Sequence, residues 1–365
     1  MLPALHSGGV ERGAVEIAEA LVAAGHRAIV IAKSGRYAER LHEIGAQWFN
    51  WPVGEKRLRT LWRWVPRLRQ LLSEEQVDVL HLRSRFPAWV GWLAWQSLPA
   101  SQRPRLVTTV HGFYSVNPYS AVMTRGERVI CVSEAIYRYV VQNYRVDPAR
   151  LTVIPRGIDP CRYRRGYRPS SDWFAQWYAQ FPTTRGKRWV VLPARLTRWK
   201  GQLRLLALWP QIVVRHPDAH LLLVGGYDPR RAEYVARLHQ RIAQENIAGS
   251  VTITGDRPDL REIMAASTLV LSLSIDPEAF GRTTLEALAL GVPVIGYHHG
   301  GVAEQLAALY PEGSIAVGDD VALAARINEC LAGELPPVTR PFPERFTLSA
   351  MQAATLRVYA ELTAN

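Results

Sequence analysis

Short runs of apolar, often β-branched residues alternate with helical patterns from one end of this chain to the other. That alternation predicts an α/β fold with parallel sheets, because a parallel strand reaches its neighbour only through a crossover, usually a helix. Residues 27–32, 77–83, 106–110, 129–132 and 151–154 read as strands of a first series. Residues 189–193, 220–224, 251–254, 269–272 and 293–296 read as strands of a second. Most are continuous apolar runs, as strands covered on both faces should be. Helix 10–24 has Gly25 just past its end, and Ser133 suits the N-cap of the helix that follows it. Further helices are expected near 202–215, 230–245, 283–290, 320–332 and 348–362. The stretch 160–188, with its arginines, prolines and aromatic cluster, reads as a linker with a short helical piece. The expected architecture is two Rossmann-like, doubly wound domains, 1–165 and 166–340, then a final segment 341–365. Ligands of open α/β sheets bind beyond the C-terminal ends of the strands, so two such domains would place their strand ends at a common cleft.

Composition narrows the class. With 48% apolar and 21% charged residues, a mainly disordered, collagen-like or disulfide-scaffold chain is excluded. The three cysteines, Cys131, Cys161 and Cys330, are scattered and form no C-x-x-C, which fits a reducing compartment. No basic region followed by an apolar core marks the first residues as a secretory signal. The longest charge-free stretches, 86–102 and 287–303, are 17 residues each and interrupted by proline, so neither reads as a membrane span. Net charge is +12, and it is uneven: residues 1–165 carry 24 Lys+Arg against 13 Asp+Glu, the remainder 20 against 19. All but four of the 44 cations are arginines, which suit bidentate phosphate contact. The partner of the basic half is therefore nucleic acid, an anionic membrane surface or a phosphorylated substrate.

Four segments carry candidate chemistry. Ser7-Gly8-Gly9-Val10-Glu11-Arg12-Gly13 opens a helix, where backbone amides and dipole attract phosphate; a bare strand-to-helix turn is the competing reading. His111-Gly112 ends a strand and so faces the expected cleft, although a hydrogen-bonded structural histidine fits equally. Arg195 and Lys200 lie between a strand and a helix, the outline of a diphosphate site; the alternative is a solvated basic loop. In Pro277-Glu278-Ala279-Phe280-Gly281-Arg282-Thr283-Thr284-Leu285-Glu286-Ala287, Glu286 falls inside an otherwise apolar helix and Glu278 in the loop before it. Surface positions for both acids are the alternative.

Taken in order, Gly8 to Arg12, His111-Gly112, Ser133 to Ile136, Pro155 to Asp159, Arg195 to Gly201 and Glu278 to Ala287 resemble the motifs of the retaining glycosyltransferases of family 4, which have the GT-B fold. The resemblance covers nearly the whole chain. It implies an acceptor-binding first domain, a nucleotide-sugar-binding second domain and a final helix that crosses back to the first. It implies that Arg195 and Lys200 grip the diphosphate of a UDP- or GDP-sugar, and that Glu286 accepts the ribose hydroxyls. Glu278 would touch hydroxyls of the donor sugar, helped by backbone amides near Phe280 and Gly281. Gly8 and Gly9 would close over the phosphates, and His111 would lie near the anomeric centre or the sugar's primary hydroxyl. The family usually has a full strand before the Gly-Gly turn, where this sequence has only Met1 to Leu5. Either that strand is short or the natural chain starts further upstream.

The chemistry is consistent with these roles. Breaking the bond from sugar C1 to phosphate oxygen puts negative charge on the leaving diphosphate, which preorganised cations stabilise. No D-x-D is present, so no metal or other cofactor is expected, with Arg195, Lys200 and helix dipoles in the metal's place. A retaining carboxylate nucleophile is not identifiable; return of the acceptor on the leaving-group face is the alternative. The segment 54–72 carries Lys56, Arg57, Arg59, Arg63, Arg67 and Arg69, with Leu58, Leu61, Trp62, Val65, Leu68 and Leu72 at helical spacing. It reads as a basic amphipathic membrane-surface segment, or as a helix packed on the sheet with solvated arginines; Pro66 is expected to kink or shorten it. The expected enzyme moves a sugar to a lipid-linked or lipopolysaccharide-type acceptor, in the cytoplasm, peripheral on the inner face of the plasma membrane. A sugar-nucleotide epimerase or hydrolase is the alternative. A nucleic-acid-binding module lacks any supporting motif.

Overall fold

The computed structural model describes residues 1–6 and 8–364. The chain forms two compact units: Met1–Gly157 joined by the chain from Arg345 onward, and Ile158–Glu344.

In the first unit the order is α1 (Gly9–Ala23), β1 (Ile29–Ala32), α2 (Ala38–Glu43), β2 (Gln47–Asn50), α3 (Leu58–Glu74), β3 (Val79–Leu82), α4 (Arg85–Gln96), β4 (Arg105–Val110), β5 (Arg128–Cys131), α5 (Glu134–Asn143) and β6 (Leu151–Val153). Ser133 caps α5 as expected, its hydroxyl accepting the Ile136 amide at 3.1 Å. All strands are parallel, in a pair β1-β2 and a set β3-β4-β5-β6. Residues 1–5 lie between these two pieces. The Leu2 amide donates to the Ile31 carbonyl at 3.1 Å and the Arg83 amide to the Met1 carbonyl at 3.1 Å, while Ala4 bridges Lys33. Upstream along β1 and β3 the two strands face each other across a cavity of about 700 Å³, lined by Leu2, Ile29, Leu72, Val79 and Tyr359 among others.

The second unit runs α6 (Ser171–Gln180), β7 (Arg188–Pro193), α7 (Gln202–Arg215), β8 (Ala219–Val224), α8 (Ala232–Gln244), β9 (Val251–Gly255), α9 (Leu260–Ala265), β10 (Leu269–Ser272), α10 (Arg282–Leu290), β11 (Val294–Tyr297), α11 (Gly300–Leu309), β12 (Ser314–Ile315) and α12 (Asp320–Ala332). Its six strands form one parallel sheet in the order β12-β11-β10-β7-β8-β9. The order reverses direction beside β7, so the β7/β10 junction is the switch point at which ligands bind in doubly wound sheets. Trp209, Leu205, Leu221, Leu223, Ile295 and Ile327 are fully enclosed in one continuous core around this sheet.

The final helix, α13 (Leu348–Thr363), belongs to the first unit. Its Met351, Val358 and Tyr359 join Ile17, Val107, Ile130 and Ile154 in one apolar cluster. The Tyr359 hydroxyl meets His81 Nδ1 at 2.6 Å, and Gln352 Nε2 donates to the Glu16 carbonyl at 2.8 Å.

Several expectations change. The stretch 160–188 is no mere linker: Trp173 stacks on Trp177 at 5.4 Å, and Trp177 lies 5.1 Å from Trp189 at the start of β7. Its aromatic residues thus cover one end of the second sheet. Helix α3 is not shortened at Pro66, for its 17 residues run through it. Nor do its apolar residues form one face: Leu68 and Leu72 are buried, but Leu58 is 78% and Trp62 83% exposed. Trp64 takes the inward position instead, stacked on Trp51 at 5.0 Å with the Arg63 guanidinium 4.9 Å from its ring centre.

Candidate active site

Two loops meet at the switch point. One follows β7 and carries Arg195 to Gly201; the other follows β10 and carries Leu273 to Gly281. Gly201 has φ 82°, and a Cβ there would lie 2.4 Å from the Leu273 carbonyl oxygen, so only glycine lets the loops approach this closely. The Ile275 amide donates to the Trp199 carbonyl at 2.7 Å and fixes their register.

This packing delivers Lys200 to Glu278. The Lys200 Nζ is 2.6 Å from Glu278 Oε1, with side chains only 11% and 21% exposed. The same ammonium stands 4.1 Å from the centre of the Trp199 ring. Ser274 donates its hydroxyl to the same Oε1 at 2.6 Å, and His299 Nε2 donates to the Ser274 carbonyl at 2.7 Å. Burial alone would raise the Glu278 carboxyl, but the Lys200 charge and the two hydrogen bonds outweigh it and hold the group below the usual carboxylate range. Glu278 is therefore an anion at neutral pH.

Beyond it, Phe280 is buried and its carbonyl accepts Gln305 Nε2 at 2.6 Å. Gly281, at φ 86°, is the N-cap of α10 and offers no side-chain acceptor; its carbonyl accepts the Thr284 amide at 3.1 Å. Glu286 lies in the middle of α10 and is buried, unlike the surface acid of the competing reading. Arg195 is exposed at the head of its loop, and its carbonyl accepts Gln202 Nε2 at 3.0 Å.

The first unit holds the other predicted residues. Ser7 lies outside the described residues. Gly8 is the N-cap of α1 in an extended conformation, and Gly9 begins the helix, where a Cβ would meet nothing within 4 Å. The backbone conformation thus does not require glycine at either position. Closer to the sheet, a Cβ on Gly13 would lie 2.9 Å from Arg156 Nη1 and 3.0 Å from Arg83 Nη2. His111 stands at the end of β4 with Arg156 Nη2 2.5 Å from its Nδ1. Burial, then the Arg156 charge, hold its pKa well below the usual histidine value, so the ring is neutral at pH 7.

Sequence reasoning missed Ser274, His299 and the contact of Arg156 with His111. Ser274 follows the end of a strand and precedes Glu278 by four residues, and His299 follows the next strand, so strand-end position was the available signal. Among the described residues, no three His, Cys, Asp or Glu side chains gather as a metal ligand set, and no helix is long and apolar enough to cross a membrane.

Two doubly wound units, with charged side chains gathered at the switch point of the second, define a two-domain α/β architecture with a ligand crevice beyond its strand ends. The family model Glycosyltransferase Family 4 matches residues 7–162, and Glycosyl transferases group 1 matches residues 176–347. The chain is a glycosyltransferase of the GT-B fold. Among curated proteins it is similar to a component of the phosphatidylinositol N-acetylglucosaminyltransferase of Homo sapiens, 24% identical over 318 residues. That match covers 82% of this chain and 61% of the human protein, so the chain spans about three fifths of that relative's length. Among solved structures, a glycosyltransferase from Rickettsia africae is 25% identical with a TM-score of 0.83, covering 98% of this chain and 96% of that one. Anabaena HepE in complex with UDP and glucose is 24% identical with a TM-score of 0.82, covering 98% of both chains.

Proposed function

We propose that this enzyme is a metal-independent retaining glycosyltransferase that moves a sugar from a UDP- or GDP-sugar to a lipid-linked or lipopolysaccharide-type acceptor. The observation that carries the reading is the Lys200–Glu278 pair at the switch point, immediately before the N-terminus of α10. Lys200, the exposed Arg195 and the α10 amides supply positive potential where the leaving diphosphate gains charge. Glu278, held ionised, accepts hydroxyls of the donor sugar, and the buried Glu286 accepts those of the ribose. The neutral ring of His111 takes the role near the anomeric centre or primary hydroxyl that the family resemblance implies, and Gly8 and Gly9 take that of the phosphate-covering turn. Displacement of the diphosphate needs no metal in this scheme, since the cations already stand at the leaving group.

The donor class is supported by the nucleotide and sugar named with the Anabaena neighbour, and the acceptor class by the lipid in the human relative's name. The exposed Leu58 and Trp62, one helical turn apart on α3 and flanked by Lys56, Arg57, Arg59 and Arg63, support reversible contact with an anionic membrane. On this reading the working enzyme lies in the cytoplasm, against the inner face of the plasma membrane. A donor screen tests the reading: nucleoside diphosphate release is measured from UDP- and GDP-sugars, with and without lipid acceptor, in excess EDTA. Acceptor-dependent release in EDTA is expected. Release that needs Mg²⁺ or Mn²⁺ would overturn metal independence. Full release without any acceptor would favour a hydrolase.

A further inference from the structure

Lys200 and Glu278 are assigned to adjacent parts of the donor, the diphosphate and the sugar, and in this structure they are bonded to each other. The contact is 2.6 Å, both side chains are largely buried, and the carboxylate oxygen involved also accepts the Ser274 hydroxyl. An ammonium has three donors, and here one is engaged by Glu278 while the Trp199 ring lies against the group at 4.1 Å. A diphosphate arriving at Lys200 therefore arrives beside a fixed negative charge. Repulsion between like charges in a poorly solvated site is strong and is relieved only by a compensating donor. A sugar still attached to the diphosphate brings such donors, its hydroxyls, to Glu278. A nucleoside diphosphate that has lost its sugar brings none.

We propose that the Lys200–Glu278 pair is a built-in device for product discrimination and release. This rests on the reading of the switch point as the donor site. With sugar nucleotide bound, the sugar hydroxyls satisfy Glu278 and Lys200 turns to the phosphates. After transfer, Glu278 loses its hydroxyl partners, takes Lys200 back and weakens the hold on the nucleoside diphosphate. Ser274 and His299 are positioning residues in this scheme. Ser274 keeps a hydrogen bond on Oε1 while Lys200 is engaged elsewhere, and His299 fixes the Ser274 carbonyl from the N-terminus of α11. The Gly301 amide, which donates to the Glu278 carbonyl at 2.8 Å, pins the backbone of the acid from the same helix. The carboxylate thus stays in place while its cation moves.

The test is calorimetric titration of the full chain with UDP and with GDP, for the wild type and for Glu278→Gln, Lys200→Ala and Ser274→Ala, beside donor KM and kcat. Glu278→Gln keeps the shape and removes the charge. It is expected to bind the nucleoside diphosphate roughly tenfold more tightly while transfer falls. Ser274→Ala is expected to raise donor KM several-fold, to leave diphosphate affinity unchanged and to move the acid limb of the pH profile upward, as Glu278 loses a bond to its ionised form. Unchanged or weaker diphosphate binding by Glu278→Gln, with Lys200→Ala clearly weakened, overturns the release device and leaves the donor site standing. If wild type and Lys200→Ala bind both diphosphates alike, or not at all, the donor-site reading fails and the device with it. Should Glu278→Gln not fold, the Ser274→Ala split decides: parallel loss of donor and diphosphate affinity overturns the proposal.

Discussion

In the second unit β7 is the central strand, paired with β8 along six residues and with β10 on its other side. In the first unit the corresponding place, between β1 and β3, is held by Met1–Leu5, which forms a single bridge and a few backbone hydrogen bonds. The strand order is otherwise the same but for one extra edge strand, β6, in the first unit, reading β9-β8-β7-β10-β11-β12 in one and β2-β1, then residues 1–5, then β3-β4-β5-β6 in the other. The second unit packs one continuous core about its sheet; in the first, a cavity of about 700 Å³ lies between β1 and β3. The proposed donor site, with its 2.6 Å contact between two loops, stands on the uninterrupted sheet, where both strand ends are fixed by neighbours. The basic excess stands on the other, where arginines lie over aromatic rings, as Arg125 does 3.9 Å from the centre of Trp92 and Arg85 does 4.8 Å from that of Tyr114. Such contacts tolerate small displacements that an ion pair in a closed site does not.

The sharpest way to break this contrast is Lys200→Ala. If Lys200 holds the leaving diphosphate as proposed, loss of this one preorganised donor costs ~10²–10³ in kcat. An equal loss from removing Arg125 in the first unit would show that precision is not confined to the second. Acidification tests both units at once, for each buries a neutral histidine in a strand: His81 between Tyr359 and Thr109, and His220 on Thr252. Burial lowers His220 to about 4 and His81 well below its usual value. Because the unfolded chain binds protons first, stability is full above pH ~6.5 and falls as pH drops toward the folded values. For His220 the full span is about 3 kcal/mol. A melting temperature constant from pH 7 to 5 would contradict it.

Hydrogen exchange probes the gap directly. Pairing of the Gln47 amide with the Ala28 carbonyl, and of the Arg105 amide with that of Asp78, turns the amides of Ile29 and Val79 toward the cavity. They should exchange at least ~10-fold faster than those of Val190 and Val191 in β7. Equal protection would mean that the first sheet is as closed as the second. The smallest effect on folding is expected from the pair Leu58→Ser and Trp62→Ser, within ~0.5 kcal/mol of wild type because both are exposed. Sedimentation with anionic vesicles at low salt should nonetheless drop; unchanged sedimentation would remove α3 from the membrane reading.

Much of this was legible in the residues. The long apolar strands and their crossover helices follow from periodicity, and Gln202–Arg215, Leu269–Ser272 and Asp320–Ala332 coincide with the segments read from sequence. Short elements escaped: β2, with exposed ends and a half-buried middle, and the two-residue β12 carry too little apolar pattern to register. Helix α4 was hidden because Trp89, Trp92 and Trp95 line its half-buried side opposite the buried small residues, leaving no polar face to reveal its period. Motif order located Lys200, Glu278 and Glu286, but not that Lys200 and Glu278 touch. That contact depends on how Gly201 packs under Leu273, a fact of tertiary geometry with no signature in either loop alone.

The return of α13 has a consequence in time. His81 is partnered by Tyr359, 278 residues later, and the whole second unit lies between them in the chain. The second unit is contiguous and can condense as soon as it has been synthesised. The first must wait with Ile17, Val107 and Ile130 uncovered until Met351, Val358 and Tyr359 arrive. At ~5–20 residues per second that interval is on the order of tens of seconds, long compared with the collapse of either unit. A nascent chain of this topology therefore presents an incomplete apolar face throughout the synthesis of its contiguous half, and it is there that a chaperone or an aggregating neighbour would find it.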